Sequence, residues 1–218
     1  RRVRELQGRS RRERALNPMS LGTPAARRDL AYHLHPSTNL RQVRTEGPLV
    51  VTRGEGVYVY DDEGRRYLEG MAGLWCASLG FSERRLADAA YRQMLLLPFY
   101  HSFGGKVPEI ATALAERLVG IAPAGLSKVL FANSGSEAND TVVRMVRRYW
   151  DLRGQPDRQV IISRINAYHG STMAGASLGG MAFMHAQGGL PIPNIVHIAQ
   201  PYWYAEGGDE SPEVFGLR

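Results

Sequence analysis

The sequence predicts an α/β fold built on a mostly parallel sheet. Short apolar runs of strand type occur at residues 128–132, 159–163 and 194–199. Between the first two runs, residues 137–153 carry apolar side chains at helical spacing, with charged residues elsewhere around the same helix. A chain in which strands alternate with helices is expected to form a parallel sheet with right-handed crossovers.

The positive charge of the chain is concentrated in an N-terminal tail. Residues 1–28 hold nine arginines against Glu5 and Glu13, a balance of +7, whereas the whole chain carries +6 and the rest therefore sums to −1. We predict that residues 1–30 are a disordered, Arg-rich tail in which Met19 is a plausible translation start. Because no aromatic residues interleave with these arginines, nucleic acid is not an expected partner.

The elements that precede the predicted sheet follow in order along the chain. We expect a lead-in segment at residues 32–42 and a β-hairpin at 56–70, whose turn at 61–64 is flanked by Val57, Val59, Tyr67 and Leu68. Ser82 is predicted to cap a helix that runs to about Leu97 and ends before Pro98. A second helix is expected from Pro108 to about Gly120.

The composition is that of an ordinary globular protein. The 218 residues are 44% hydrophobic and 22% charged, enough for one domain or one and a half. No apolar run approaches the roughly 18 residues that a membrane helix needs, so no membrane partner is expected. Cys76 is the single cysteine, which predicts neither a disulfide framework nor a metal site and favours a reducing, cytoplasmic location.

The most informative stretch is FANSGSEAND, residues 131–140. Ser134 with Glu137 fits a capping box, and Ser136 is an alternative N-cap. Backbone N–H groups at a helix start, with the positive end of the helix dipole behind them, bind a phosphate without a lysine. Gly135 lets the backbone approach closely. Taken alone, however, the turn favours simple helix capping, which is the commoner use of such residues.

A second motif, INAYHGST at residues 165–172, places an aromatic residue just after a predicted strand. The face of Tyr168 is suited to cover a flat ring and to exclude water from it. Together the two motifs suggest a seat for a flat, phosphorylated cofactor that carries the chemistry itself. The alternatives are that Tyr168 packs in a core and that His169 is a structural histidine.

Longer stretches carry a resemblance to a known family. Four segments carry it: GVYVYDDEGRRYLEGMAGLWCASLGF, NSGSEANDTVVRMVRRYWDLRGQP, VIISRINAYHGSTMAGASLGGM and MHAQGGLPIPNIVHIAQPYWYAEGGD. Through them the chain resembles the N-terminal half of a class III pyridoxal-phosphate aminotransferase, from about His33 to Arg218. Within that family the resemblance is to the pyruvate-linked putrescine and polyamine type. The resemblance implies fold type I. Residues 31–75 would form an N-terminal part of the small domain, and 76–218 the first part of the large, cofactor-binding domain.

The same resemblance implies roles for individual residues. The cofactor, pyridoxal phosphate, would be held by the phosphate-binding turn, by the aromatic that stacks on the pyridine ring and by the two residues after it: Ser134, Gly135, Ser136, Tyr168, His169 and Gly170. Trp75 matches the tryptophan of the family's substrate pocket. Family members are homodimers, and their substrates are small amines and keto acids.

Two departures from the family pattern concern the substrate pocket. Ser37 stands where a pocket-lining aromatic is usual, and Gly104 replaces the second of two adjacent phenylalanines. His101 replaces a common asparagine in the same segment. The loss of two aromatic walls predicts a wider and wetter pocket, so substrate specificity need not follow the fold. Putrescine-like diamines are the first expectation, and other ω-amines or β-alanine-like amino acids the second.

The largest departure is the absence of catalytic residues. The family requires a lysine that bonds to the cofactor and an aspartate that pairs with its ring nitrogen, and both belong to a part that this chain lacks. The two lysines present, Lys106 and Lys128, match neither motif. The chain is therefore expected to be the first portion of an enzyme, inactive alone, and prone to aggregate because a divided parallel sheet exposes apolar surface.

Three functions remain open from the sequence. The first is amino transfer from a primary amine, a diamine or an ω-amino acid to pyruvate or another keto acid. The second is another reaction of the same cofactor scaffold, such as that of an aminomutase or a decarboxylase. The third is a noncatalytic remnant that acts as a binding subunit. The residues that would separate these functions lie outside the sequence.

Overall fold

The computed structural model describes residues 22–217, which divide into two compact units between Pro108 and Glu109. The sequence instead predicts a change of domain near residue 76. The assignment of residues 31–75 and 76–218 to a small and a large domain stays a prediction. Residues 1–21 of the predicted tail lie outside the described residues.

Within residues 22–108, the first unit contains four helical segments and an antiparallel sheet in the order β1-β2-β3. Its elements are α1 (Pro24–Tyr32), α2 (Leu40–Glu46), β1 (Val51–Glu55), β2 (Tyr58–Asp61), β3 (Arg66–Leu68), α3 (Ala72–Trp75) and α4 (Arg84–Leu96). Strands β2 and β3 confirm the predicted hairpin. Strand β1 was not predicted, and it joins the hairpin along β2.

The end of the predicted disordered tail is helical. Helix α1 begins after Thr23, whose hydroxyl accepts a hydrogen bond from the amide of Ala26 at 3.0 Å. Pro24 occupies the first turn, where its missing N–H costs nothing. Ala26 is buried, so packing adds to the capping. The prediction of disorder was therefore wrong for this segment, because it rested on charge and missed the cap.

The hairpin is organised around a buried carboxylate. The side chain of Asp61 accepts hydrogen bonds from the amides of Glu63 and Arg65, the guanidinium of Arg65 and the hydroxyl of Tyr67. Burial alone would raise the pKa of Asp61, but the bonds from Tyr67 and Arg65 outweigh it and lower the pKa to about 2. The ionised carboxylate of Asp61 therefore stabilises the predicted turn through its hydrogen bonds.

Helix α4 begins one residue later than the sequence suggests. Its N-cap is Glu83, which accepts from the amide of Arg85, and not Ser82. Ser82 has φ 64° and donates its hydroxyl to the carbonyl oxygen of Gly54 at 2.6 Å. The local pattern predicts that the Ser82 hydroxyl caps the helix, but it is instead hydrogen-bonded to a residue 28 positions earlier in the chain. The helix ends at Leu96, before Pro98 as predicted.

The second unit carries the α/β pattern. Its elements are α5 (Glu109–Ile121), α6 (Gly135–Leu152), β4 (Ile161–Arg164), α7 (Met173–Leu178), α8 (Ala182–His185), β5 (Ile195–Ile198), α9 (Trp203–Glu206) and α10 (Pro212–Gly216). Strands β4 and β5 pair in parallel, with Ile161 opposite Ile195, which confirms the predicted parallel sheet. Val143 of α6, Leu178 of α7 and Ile195 of β5 form the buried core of this sheet and its helices.

The predicted strand at 128–132 is not formed. This segment has no ladder partner among residues 22–217, and it has no strand assignment. Leu130 and Phe131 are 66% and 50% exposed. An apolar run becomes a strand only when a neighbouring strand satisfies its backbone groups, and no described strand does so here.

Large apolar side chains remain exposed in both units. Leu96, Phe99 and Phe103 in the first unit and Leu152 in the second are each at least 70% exposed. The tendency to aggregate stays a prediction that this surface supports. Within the described part of the chain, no helix combines the length and the apolar character that crossing a membrane requires.

Candidate functional site

Helix α6 begins with its first amide groups free of intrahelical partners. Ser134 is the N-cap, and its hydroxyl oxygen accepts from the amide of Glu137 at 3.2 Å, as predicted. The carboxylate of Glu137 reaches back to the amide of Asn133 at 2.9 Å, one residue before the position that a capping box specifies. The amides of Gly135 and Ser136 lie at N1 and N2, where a helix offers no internal acceptor.

The loop after β4 packs directly against this helix start. The amide of Ser171 donates to the hydroxyl oxygen of Ser136 at 3.1 Å. The side-chain amide of Asn139 donates to the carbonyl oxygen of His169 at 2.7 Å. The two sequence motifs, about 30 residues apart, therefore form one junction. Ser136 acts as an acceptor for the loop and not as the alternative N-cap.

Asp140 is a residue of this junction that the sequence analysis missed. Its carboxylate accepts from the hydroxyl of Thr172 at 2.6 Å and from the amide of Gly175 at 3.1 Å. Thr172 is also the N-cap of α7, so one carboxylate links the starts of two helices. No local pattern identifies this role, because both partners lie more than 30 residues along the chain.

Gly170 allows the close approach of the loop to α6. The residue is buried and has φ 124°, a conformation that side chains rarely adopt. A Cβ atom at this position would lie 2.5 Å from the hydroxyl oxygen of Ser136 and 2.9 Å from its Cα. The neighbouring Tyr168 is 59% exposed. The junction thus joins free helix amides to an accessible aromatic ring.

The predicted pocket residues Trp75, Ser37 and Gly104 lie in the first unit, whereas the six predicted cofactor residues lie in the second. Ser37 and Gly104 both have positive φ, 48° and 63°. A Cβ at Gly104 would meet no atom within 4 Å, so the space around this position is open.

Trp75 ends a left-handed turn. All four residues of α3 have φ between 49° and 72°: Ala72, Gly73, Leu74 and Trp75. The carboxylate of Glu69 accepts from the amides of Met71 at 3.1 Å and Gly73 at 2.6 Å, which fixes the turn. Left-handed conformations cost about 1–2 kcal/mol per non-glycine residue, so this segment is held under strain. The side chain of Trp75 is 76% exposed.

Comparison with known proteins identifies the family. The family model of class III aminotransferases matches residues 41–214, most of the chain. The chain belongs to the class III aminotransferases. A putrescine–pyruvate aminotransferase of Pseudomonas aeruginosa is 53% identical over 186 residues, which are 85% of this chain and 41% of that protein. A vanillin aminotransferase of Capsicum chinense is 46% identical over 78% of this chain and 38% of its own length.

Solved structures agree with this assignment. An omega transaminase from Pseudomonas jessenii in complex with PMP has a TM-score of 0.87 and 48% identity, covering 90% of this chain and 44% of that one. A PMP-bound aminotransferase from Vibrio fluvialis has a TM-score of 0.85 and 38% identity over 90% of this chain and 43% of its own. The predicted family and the fold, PLP fold type I, are confirmed. The chain spans about two fifths of the length of these relatives.

Class III aminotransferases depend on pyridoxal phosphate, and the junction in this aminotransferase chain fits the phosphate of that cofactor. The amides of Gly135 and Ser136 point out of the start of an 18-residue helix, whose dipole favours an anion. A Cβ built on Gly135 would meet nothing within 4 Å, so the space on the side-chain face of Gly135 is open. The individual contacts of the six predicted residues stay a prediction.

Proposed function

We propose that this chain supplies the phosphate-binding part of an aminotransferase site, in an enzyme that moves an amino group from a primary amine to pyruvate or another keto acid. The observation that carries the proposal is the junction between the start of α6 and the loop at 168–172. Three features of the junction suit a flat, phosphorylated cofactor. The free amides of α6 can bind a phosphate, and the exposed aromatic ring can cover a flat ring. A glycine allows the loop to approach the helix closely.

The residues of the chain have separate tasks in this proposal. The amides of Gly135 and Ser136 donate to the phosphate, and Ser136 keeps its hydroxyl oxygen as the acceptor for Ser171. Tyr168 covers one face of the cofactor ring and excludes water from it. Asp140 is a positioning residue, because it holds Thr172 and Gly175 and through them the loop that carries Tyr168.

Bound pyridoxal phosphate supplies the electron sink that amino transfer needs, and the protein orients it. The two lysines of the chain, Lys106 and Lys128, are exposed and lie outside the junction residues. We therefore keep the proposal that the chain binds the cofactor without completing the reaction. The assembled enzyme would be a cytoplasmic homodimer, as the sequence predicts.

The proposed amine donor is a putrescine-like diamine. The P. aeruginosa relative, 53% identical, is named a putrescine–pyruvate aminotransferase. The open space at Gly104 and the small side chain of Ser37 also favour an extended, hydrated substrate over a compact apolar one. The vanillin aminotransferase of Capsicum chinense, 46% identical, adds aromatic aldehydes as a second candidate class of substrate, on the side of the amino acceptor.

The N1 position of α6 permits a sharp test of phosphate binding. Proline at N1 preserves a helix but removes its amide hydrogen, and Ser134 before it has extended backbone that accepts a following proline. Gly135→Ala keeps the amide and adds a methyl group to open space. We expect Gly135→Pro to weaken pyridoxal phosphate binding by about tenfold, since a charge-assisted hydrogen bond is lost, and Gly135→Ala to change it by less than about twofold.

The measurement is a titration of the ¹⁵N-labelled chain with pyridoxal phosphate, followed by amide chemical shifts. Pyridoxal, which lacks the phosphate, is the matched ligand control and should not distinguish the two variants. Equal binding of pyridoxal phosphate to Gly135→Pro and Gly135→Ala, or shifts that leave Gly135 and Ser136 unaffected, would overturn the proposal.

A further inference from the structure

A cluster of metal-ligating side chains lies in the first unit, at the end of α1. Asp29 belongs to the helix, His33 is its C-cap residue and His35 follows two positions later. The two carboxylate oxygens of Asp29 face one ring nitrogen each: Nδ1 of His33 at 2.8 Å and Nε2 of His35 at 2.7 Å. The ligand atoms of all three side chains lie within 4.8 Å of one another.

The cluster is partly enclosed. The side chains of Asp29 and His35 are 17% and 24% exposed, and that of His33 is 60% exposed. The three residues line a pocket of about 240 Å³ that Leu40 and Val43 of α2 also line. One side of the cluster is therefore shielded from solvent, and the other is open to an entering ion.

We propose that Asp29, His33 and His35 bind a divalent transition-metal ion of the zinc class. Two imidazole nitrogens and one carboxylate oxygen are a ligand set that zinc uses with a fourth position open to water. This proposal differs from the expectation of no metal site, which rests on the single cysteine of the chain.

The distances are compatible with an ion after a small adjustment. Zinc bonds of about 2.0–2.2 Å at tetrahedral angles separate neighbouring ligand atoms by about 3.3 Å. With Oδ1 of Asp29 as the ligand oxygen, its 2.8 Å distance from Nδ1 of His33 must therefore widen by about 0.5 Å, and Nε2 of His35, which lies 2.7 Å from Oδ2, must move towards the same ion as the two hydrogen bonds are replaced. Both histidines bind as neutral imidazoles and keep their remaining proton on the other ring nitrogen.

The ligands are close in sequence, so ordering them costs little. All three lie within a seven-residue segment, and Asp29 and His33 are one helical turn apart. A bound ion would fasten the segment after α1 to the helix and would stabilise the first unit by mass action. Arg44 lines the same pocket, and its positive charge opposes the binding of a cation.

The test is a titration of the untagged, chelator-treated chain with Zn²⁺ by calorimetry, and with Co²⁺ by visible absorption. We expect one ion per chain. His35→Gln and His33→Gln should each weaken binding by at least about tenfold, because a ligand is removed. His101→Gln removes a histidine outside the cluster and should change the affinity by less than about twofold.

Asp29→Asn keeps the shape of the side chain and should weaken the affinity by about tenfold, whereas Arg44→Gln should strengthen it by about threefold through the loss of a repelling charge. Circular dichroism shows whether each variant keeps its helices. The proposal fails if the unaltered chain binds no Zn²⁺, or if folded His33→Gln and His35→Gln variants bind it as tightly as His101→Gln. Neither outcome bears on cofactor binding at α6.

Discussion

The hairpin of the first unit and the junction of the second each depend on an aspartate, but their partners lie at different distances along the chain. Asp61 accepts hydrogen bonds from residues two to six positions later. Asp140 accepts from residues 32 and 35 positions later. The hairpin can therefore form from local contacts alone, whereas the junction forms only when the loop after β4 has packed on α6.

Two glycines extend the comparison. Gly73, in the left-handed turn of the first unit, has φ 60°, and a Cβ there would stand in ordinary contact, 3.6 Å from Phe81. Gly170, in the junction, has φ 124° and no room for a Cβ beside Ser136. The first glycine serves a local conformation and the second a close approach between distant segments. The candidate cofactor site is thus the part of the molecule more sensitive to packing.

The largest expected effect is that of Gly170→Ala. We expect it to lower the free energy of unfolding by about 4 kcal/mol, since both the conformation and the contact with Ser136 must give way. Gly73→Ala is the matched control and should cost about 1 kcal/mol, because alanine there only adopts a left-handed conformation. Urea denaturation followed by circular dichroism measures both, and similar losses would remove the distinction between the two glycines.

The next effect concerns the local network. Asp61→Asn should lower the free energy of unfolding by about 3 kcal/mol, since it leaves charged and hydrogen-bonding partners of a buried carboxylate unsatisfied. Asp88→Asn removes an exposed carboxylate that is 3.4 Å from Arg84 and should cost less than about 0.5 kcal/mol. A loss at Asp61 no larger than that at Asp88 would contradict the structural role of the buried group.

Acid should weaken the hairpin through the same residue. The pKa of Asp61 is lowered from 3.8 to about 2 in the folded chain, so its contribution is complete above pH 4 and is lost as the pH falls towards 2. This shift corresponds to about 2 kcal/mol of stability. Urea denaturation of the unaltered chain and of Asp61→Asn at pH 5 and pH 2 measures it. If both lose the same stability, another carboxyl group is responsible.

The smallest effect is expected at Asp140. Asp140→Asn should cost about 1.5 kcal/mol, because both hydrogen bonds go to one carboxylate oxygen and an amide oxygen accepts them without the strengthening negative charge. Hydrogen exchange should accelerate in the loop at 168–172 and the first turn of α7, and it should remain unchanged in the hairpin. Asp157→Asn, an exposed control in the same unit, should alter neither measurement. Faster exchange throughout the chain would indicate global destabilisation instead of a local hold on the loop.

The structure of the proposed site could be predicted only in part. The Ser134 cap and the parallel pairing of β4 with β5 follow from local composition and from the order of the elements, and both are confirmed. The contacts of Ser136 and Asp140 could not be predicted, because each requires a partner from the loop after β4. The spacing of Asp29 and His33, one helical turn apart, is compatible with two ligands of one metal ion. A search for metal ligands that is restricted to cysteines overlooks this spacing.

Turns, caps and helices whose partners lie within a few residues, such as the Asp61 turn and the start of α6, follow from the amino-acid sequence alone. The distant hydrogen-bond partners of Ser82 and Asp140 depend on the packing of the folded chain. The same is true of the absence of a described strand beside residues 128–132. The difference arises because a local hydrogen bond needs only a favourable backbone conformation. A distant hydrogen bond or a strand ladder also requires packing to overcome the entropy of closing the intervening chain.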